Sequence, residues 1–245
     1  QNSAPNARPG LAFGILRSMA TSRSADLLIL AAHAPELVGL RGALGPTLAG
    51  GPANIRHVCA TVGVGLPAAA AGTMRHVRDA RPRAVLLLGS CGLYPRRAEF
   101  RPLTPLIPTG VRMVDASVLA EKAAFPAPMQ LLCEPDKSLS NSLAESDAGA
   151  LRGEVATTLG ITTDDSLART LGRKSGCAAE NLEAFSVALA CAARDLPFAC
   201  VLVATNAVGS QGREQWRKYQ RKAAERGAKL LLDWIEQGAR GLPER

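Results

Sequence analysis

The sequence predicts an α/β fold: a single three-layer αβα domain around a central, mostly parallel mixed sheet. Short continuous apolar runs, DLLILAA at residues 26–32 foremost, have the pattern of strands buried on both faces. Glycine turns follow such runs and lead into helix-forming segments, which is the strand, turn, helix, strand order of a βαβ unit. Aromatics make up only 4% of the 245 residues while Ala, Leu and Val abound, which favours an α/β core over a β-sandwich.

The first strand, 26–32, is followed by His33-Ala34-Pro35-Glu36, which opens a helical stretch with Pro35 acceptable in its first turn. Residues 56–62 form a second strand ending in Gly63-Val64-Gly65, a turn into an Ala-rich helix over 66–79. A third strand, 84–88, ends in Gly89-Ser90-Cys91-Gly92. Between 94 and 150 proline is frequent; a strand is expected at 111–114, loop at 131–141, and a further strand at 154–162. A helix is expected over 179–194, a strand over 198–204 stopping at Thr205-Asn206, and a long helix over 213–237. In that last helix Trp216, Tyr219, Ala223, Leu230 and Trp234 recur near helical spacing, so one face is expected to pack on the sheet.

No linker divides the chain, so residues 19–245 read as one domain. Residues 1–18 have LAFGIL as their only apolar patch, too short for a signal peptide. They are expected to be a disordered or added leader, with the natural chain beginning at Met19 in a reducing cytoplasm. No apolar run approaches the roughly 18 residues that span a bilayer. The net charge of +8 raises nucleic acid as a partner, but the basic residues are dispersed and the densest group, 213–226, alternates with Glu214, Glu225 and apolar positions as an exposed helix face does. No nucleic-acid-binding motif accompanies it. Six cysteines (59, 91, 133, 177, 191, 200) form no C-x-x-C pair and sit mostly in apolar runs, which indicates neither a disulfide framework nor a zinc site.

Several short constellations have both a plain and a chemical reading. Gly63-Val64-Gly65 lacks the third glycine of a dinucleotide fingerprint and reads equally as a strand-to-helix turn. Gly89-Ser90-Cys91-Gly92 would let a ligand approach the backbone, with Ser90 offering a hydroxyl. Glu36 is either a carboxylate favoured by a helix start or a general base holding water. Glu183 lies in the first turns of an otherwise apolar helix, where a glutamate needs a partner. Asn206 ends a strand, a position asparagine also takes as a turn residue. His33, His57 and His76 share no metal-ligand spacing and read as structural or solvent-facing. Ser90 lacks the G-x-S-x-G setting of a serine hydrolase.

Taken in order, LLILAAHAPEL, VCATVGVGLPAAAAGT, LLLGSCG, AENLEAFSVA and VLVATNAVG resemble motifs of the purine nucleoside phosphorylase and nucleosidase superfamily over about residues 25–237. The resemblance implies that Glu183 hydrogen-bonds the ribose hydroxyls, with Leu182 at the position of a methionine packed under the sugar. It implies that Glu36 activates water at the anomeric carbon, that Asn206 takes the place of the aspartate handling purine N7, and that Ser90 and Gly92 border the nucleophile pocket. It further implies no cofactor or metal, water as co-substrate, a purine nucleoside as ligand, and a homodimer or higher homo-oligomer in which a neighbouring subunit completes the 5′ pocket. Leu87 stands where hexameric phosphorylases carry a phosphate-holding arginine, and an aliphatic chain cannot pair with an oxyanion. An amide at 206 suits a 6-oxopurine, since it offers both donor and acceptor. TNAVGSQGREQW and AENLEAFSVA resemble the corresponding motifs of futalosine hydrolases, with Gln211 a departure in the first and Leu182 in the second. The loop expected to stack on the base, 162–167, has no aromatic, which leaves Tyr94 or Phe185 as candidates. The alternatives are a methylthioadenosine/S-adenosylhomocysteine nucleosidase, a phosphate-dependent phosphorylase, a catalytically silent purine-binding protein, and a basic nucleic-acid binder.

Overall fold

Strand β1 (Leu27–Ala31) is buried along its whole length because its alternate residues serve two different cores. Leu28 and Leu30 pack in one apolar layer, whereas Leu27, Ile29 and Ala31 pack in the other. This is the computed structural model of the chain, and it describes residues 24–44, 55–95 and 100–244. The expected leader, 1–18, and the basic pair Arg96-Arg97 lie outside the described residues.

β1 lies between β2 (His57–Thr61) and β3 (Ala84–Leu93), parallel to both, and helix α2 (Leu66–Ala80) crosses from β2 to β3. Buried Asp26, just before β1, holds the start of all three strands together: its carboxylate accepts from Arg56 Nε at 3.3 Å and from Arg83 Nη1 at 3.0 Å. The remaining strands are β4 (Pro105–Met113), β5 (Leu132–Cys133), β6 (Leu151–Thr157), β7 (Ala179–Asn181) and β8 (Phe198–Ala207). β8 runs parallel to β3, β6 parallel to both β4 and β7, while β3–β7, β4–β5 and β4–β8 are antiparallel. Because β3 pairs with both β7 and β8, and β4 with both β6 and β8, five of the strands close a ring. Helices α2 and α6 (Ala184–Ala192) cover one face; α1 (Val38–Leu44), α4 (Lys137–Glu145) and α7 (Gly212–Glu236) cover the other, with α3 (Ala116–Leu119) and α5 (Asp165–Ser175) at the side. No described helix is long and apolar enough to cross a membrane.

Several boundaries differ from expectation, each for a tertiary reason. β3 does not stop at Leu88 but runs through Gly89-Ser90-Cys91-Gly92, because this glycine-rich segment pairs with Leu202–Ala207 of β8. Its neighbours override its low strand propensity. The expected loop at 131–141 contains the start of α4, capped by Asp136, whose carboxylate accepts from Leu139 N, and anchored by buried Leu139 and Leu143. The strand expected over 154–162 is β6, which begins at Leu151 and ends already at Thr157, and helix α5, capped by Asp164, begins at Asp165 inside the loop expected over 162–167. Residues Ala179–Asn181 are strand rather than helix, paired with both β3 and β6, so α6 begins only at Ala184. In α7 the expected inner face holds for Ala223, Leu230 and Trp234, whereas Trp216 and Tyr219 stay partly exposed.

Candidate active site

The C-terminal ends of β1, β3 and β8 meet β7 and the start of α7 around one cavity of about 520 Å³, within the usual range for a small-molecule site. Strand ends of this kind are where α/β sheets bind ligands.

A 3-10 turn, Ala34–Leu37, directly after β1 folds Glu36 back over the strand end. Its Oε2 accepts from Ala32 N at 3.0 Å and His33 N at 3.3 Å, and its Oε1 from Ser90 N at 3.3 Å. His33 Nδ1 lies 3.2 Å from Glu36 Oε2, and this contact raises the imidazole pKa above its ordinary value against the opposing effect of burial. Glu183, at the N-cap of α6, accepts from Gly65 N at 2.9 Å, so the glycine turn after β2 reaches across to it. Burial pushes the Glu183 carboxyl up to about 6; the charge of Glu36 adds to this and the Gly65 N–H opposes it. Asn181 does the capping in its stead, its Oδ1 accepting from Glu183 N and Ala184 N while its Nδ2 donates to Ser90 O at 3.0 Å.

The other end of the cavity is built from side chains. Asn206 Oδ1 accepts from Thr205 Oγ1 at 2.8 Å and its Nδ2 donates to Ala207 O at 2.9 Å. Its amide lies so close to Gly92 that a Cβ there would come within 2.7 Å of Nδ2 and 2.9 Å of Val208 Cγ2. Glu180 accepts from Tyr94 Oη at 2.9 Å, Thr162 N at 2.9 Å and Thr162 Oγ1 at 2.6 Å. Val64, Ile161, Leu182, Val208 and Trp216 supply apolar wall, the Trp216 ring 6.3 Å from that of His33.

Glu36, Ser90, Gly92, Leu182, Glu183 and Asn206 therefore line one cavity, as the sequence grouped them. Phe185 does not: it is buried in the core between α6 and the sheet, its N–H donating to Thr157 Oγ1. The register of α6, which starts after Glu183, turns it inward. Tyr94 is likewise buried beside α5 and reaches the site only through its hydroxyl. Leu87 points into the core rather than the cavity. The reading of His33 as structural or solvent-facing is corrected, since it lines the cavity beside Glu36. Glu180, Asn181, Thr162 and Trp216 also line it. Trp216, ten residues beyond Asn206, was legible as the aromatic closing TNAVGSQGREQW; Glu180 has no sequence signal beyond its nearness to Glu183, and Thr162 none beyond its place in the loop expected over 162–167.

The fold is an α/β class with a cavity at its strand ends, and a family model places it further: the Phosphorylase superfamily matches residues 32–236, and the chain belongs to it. Among solved structures it is similar to the 5′-methylthioadenosine/S-adenosylhomocysteine nucleosidase of Neisseria meningitidis in complex with methylthio-immucillin-A (TM-score 0.76, 17% identity, covering 86% of this chain and 98% of that one). It is similar also to the futalosine hydrolase of Helicobacter pylori (TM-score 0.76, 17% identity, 86% and 97%). A third is the Colwellia psychrerythraea nucleosidase in complex with adenine (TM-score 0.77, 18% identity, 91% and 99%). At these identities the likeness is one of fold. No curated protein matches the chain.

Proposed function

We propose that this protein is a purine nucleoside N-ribohydrolase acting on a 6-oxopurine nucleoside, with futalosine as the substrate, releasing hypoxanthine and dehypoxanthinyl futalosine in menaquinone biosynthesis. The observation that carries the reading is the pair Glu36 and Glu183, two carboxylates from distant parts of the chain at one cavity and close enough for the charge of one to raise the pKa of the other. Glu36, held by three backbone N–H groups, takes a proton from water as its oxygen bonds to C1′. The C1′–N9 bond breaks through an oxocarbenium-like state. Glu183 orients the ribose hydroxyls, Leu182 and Trp216 wall the sugar, and Asn206 meets the departing base.

Water rather than phosphate as the nucleophile is supported by Glu36, whose carboxylate at the cavity can take a proton from water and would repel a phosphate dianion. A 6-oxopurine is supported by the amide of Asn206, and futalosine in particular by the similarity of TNAVGSQGREQW to futalosine hydrolases. A homodimer is supported by Val64 and Ile161, which line the cavity yet are 61% and 58% exposed; a second copy would cover them. Base release from a nucleoside panel, with and without phosphate, tests the reading. Phosphate-independent release of hypoxanthine from futalosine is expected. Adenine release from methylthioadenosine in its place would favour the second reading, a methylthioadenosine/S-adenosylhomocysteine nucleosidase, which the similar solved structures support. Release only with phosphate would make it a phosphorylase, and no release a silent binding protein.

A further inference from the structure

From the row Glu180–Gly92–Asn206 we infer that Glu180 is a specificity-determining residue, accepting the N1–H of a 6-oxopurine base. Gly92 of β3 is in register with Glu180 of β7 on one side and with Asn206 of β8 on the other. Laterally paired residues project to the same face of a sheet. The missing Cβ at Gly92 leaves bare backbone between a carboxylate and an amide, and all three residues line the cavity. Glu180 is only 7% exposed, and a buried carboxylate needs its acceptor sites filled.

An ionised carboxylate has about four acceptor sites. The protein fills two on Oε2, from Tyr94 Oη and Thr162 Oγ1, and one on Oε1, from Thr162 N. One site on Oε1 is left for a donor in the cavity. These three donors also make Glu180 rigid and acceptor-only, so it discriminates by the chemistry of the base edge. A 6-oxopurine presents N1–H, a donor. Adenine presents a bare N1 lone pair, which would leave two acceptors facing each other. Asn206 reads the N7 side of the base, and Glu180 reads the opposite edge from a different strand.

This inference rests on the purine reading above but not on hydrolysis, so equilibrium binding of free bases is the test. Calorimetry on the full chain is expected to show hypoxanthine binding about 10–100-fold more tightly than adenine, the range for a hydrogen bond to a charged group. In Glu180→Gln, whose amide can turn a donor toward N1, that ratio is expected to fall at least tenfold. A ratio unchanged in Glu180→Gln would overturn the inference and leave Glu180 as an anchor for the Thr162 loop. Should Glu180→Gln fail to fold, 1-methylhypoxanthine, which lacks the N1–H, decides with the unaltered protein: binding as tight as hypoxanthine overturns the inference, and at least tenfold weaker binding supports it. Absence of binding by every base also overturns it. Hypoxanthine preference without base release from any nucleoside would instead sink the hydrolase reading and leave this one standing.

Discussion

The two ends of the cavity are held by different kinds of donor. At the Glu36–Glu183 end the carboxylates accept from main-chain N–H groups of Ala32, His33, Ser90 and Gly65. At the Glu180–Asn206 end the partners are mostly side chains, the hydroxyls of Tyr94, Thr162 and Thr205. A backbone cradle places a charge wherever the strands end, whatever the neighbouring side chains are. A side-chain network depends on each of its members. The first end is thus suited to chemistry common to a family, and the second to discriminating among ligands.

Altering single groups at each end should break this contrast in graded ways. Glu36→Gln removes the base and keeps, through its one carbonyl oxygen, only part of the backbone cradle, and kcat is expected to fall about 10²–10⁴-fold with nucleoside binding retained; full turnover would remove Glu36 from the chemistry. Gly92→Ala is expected to cost up to about 3 kcal/mol by overpacking against Asn206 and Val208 and to disturb base binding more than ribose binding. Denaturant unfolding together with hypoxanthine and ribose titrations would check it. Glu183→Gln tests the strain of a buried charge. The carboxyl moves from an ordinary 4.5 to about 6 on folding, so its proton-linked stability is fully present below pH 4.5 and lost as the pH rises through 6. The variant is therefore expected to equal the parent in stability at pH 4 and to exceed it by about 2 kcal/mol at pH 8, while losing ribose affinity. Equal unfolding curves at pH 8 would contradict the burial effect. Smallest is Tyr94→Phe, which removes one donor from Glu180 and is expected to lower stability by about 1 kcal/mol, read as a shift in thermal midpoint.

The parts of this arrangement legible in the sequence are those in which local pattern and tertiary outcome agree. β1, β2, α2 and β8 fall within a few residues of their expected places because each is a continuous apolar or Ala-rich run bounded by a local turn. Glu36, Glu183 and Asn206 were legible as strand-end or helix-start polar residues. α4 and α5 were not, since each begins at an Asp cap inside a polar stretch whose burial comes from partners far along the chain. Phe185 misled because an aromatic beside a site glutamate says nothing of which way a short helix is rotated.

By itself, the sequence determined the parallel βαβ core and the residue types delivered to the strand ends. These follow from periodicity, turn chemistry and the chain order of elements, all of which are local. Only the tertiary structure decided that the glycine-rich end of β3 is strand, that Glu180 and Asn206 flank Gly92, and that His33 and Trp216 face the cavity. Those outcomes depend on lateral register and helix rotation. Both are set by contacts between segments many tens of residues apart, which no local window contains.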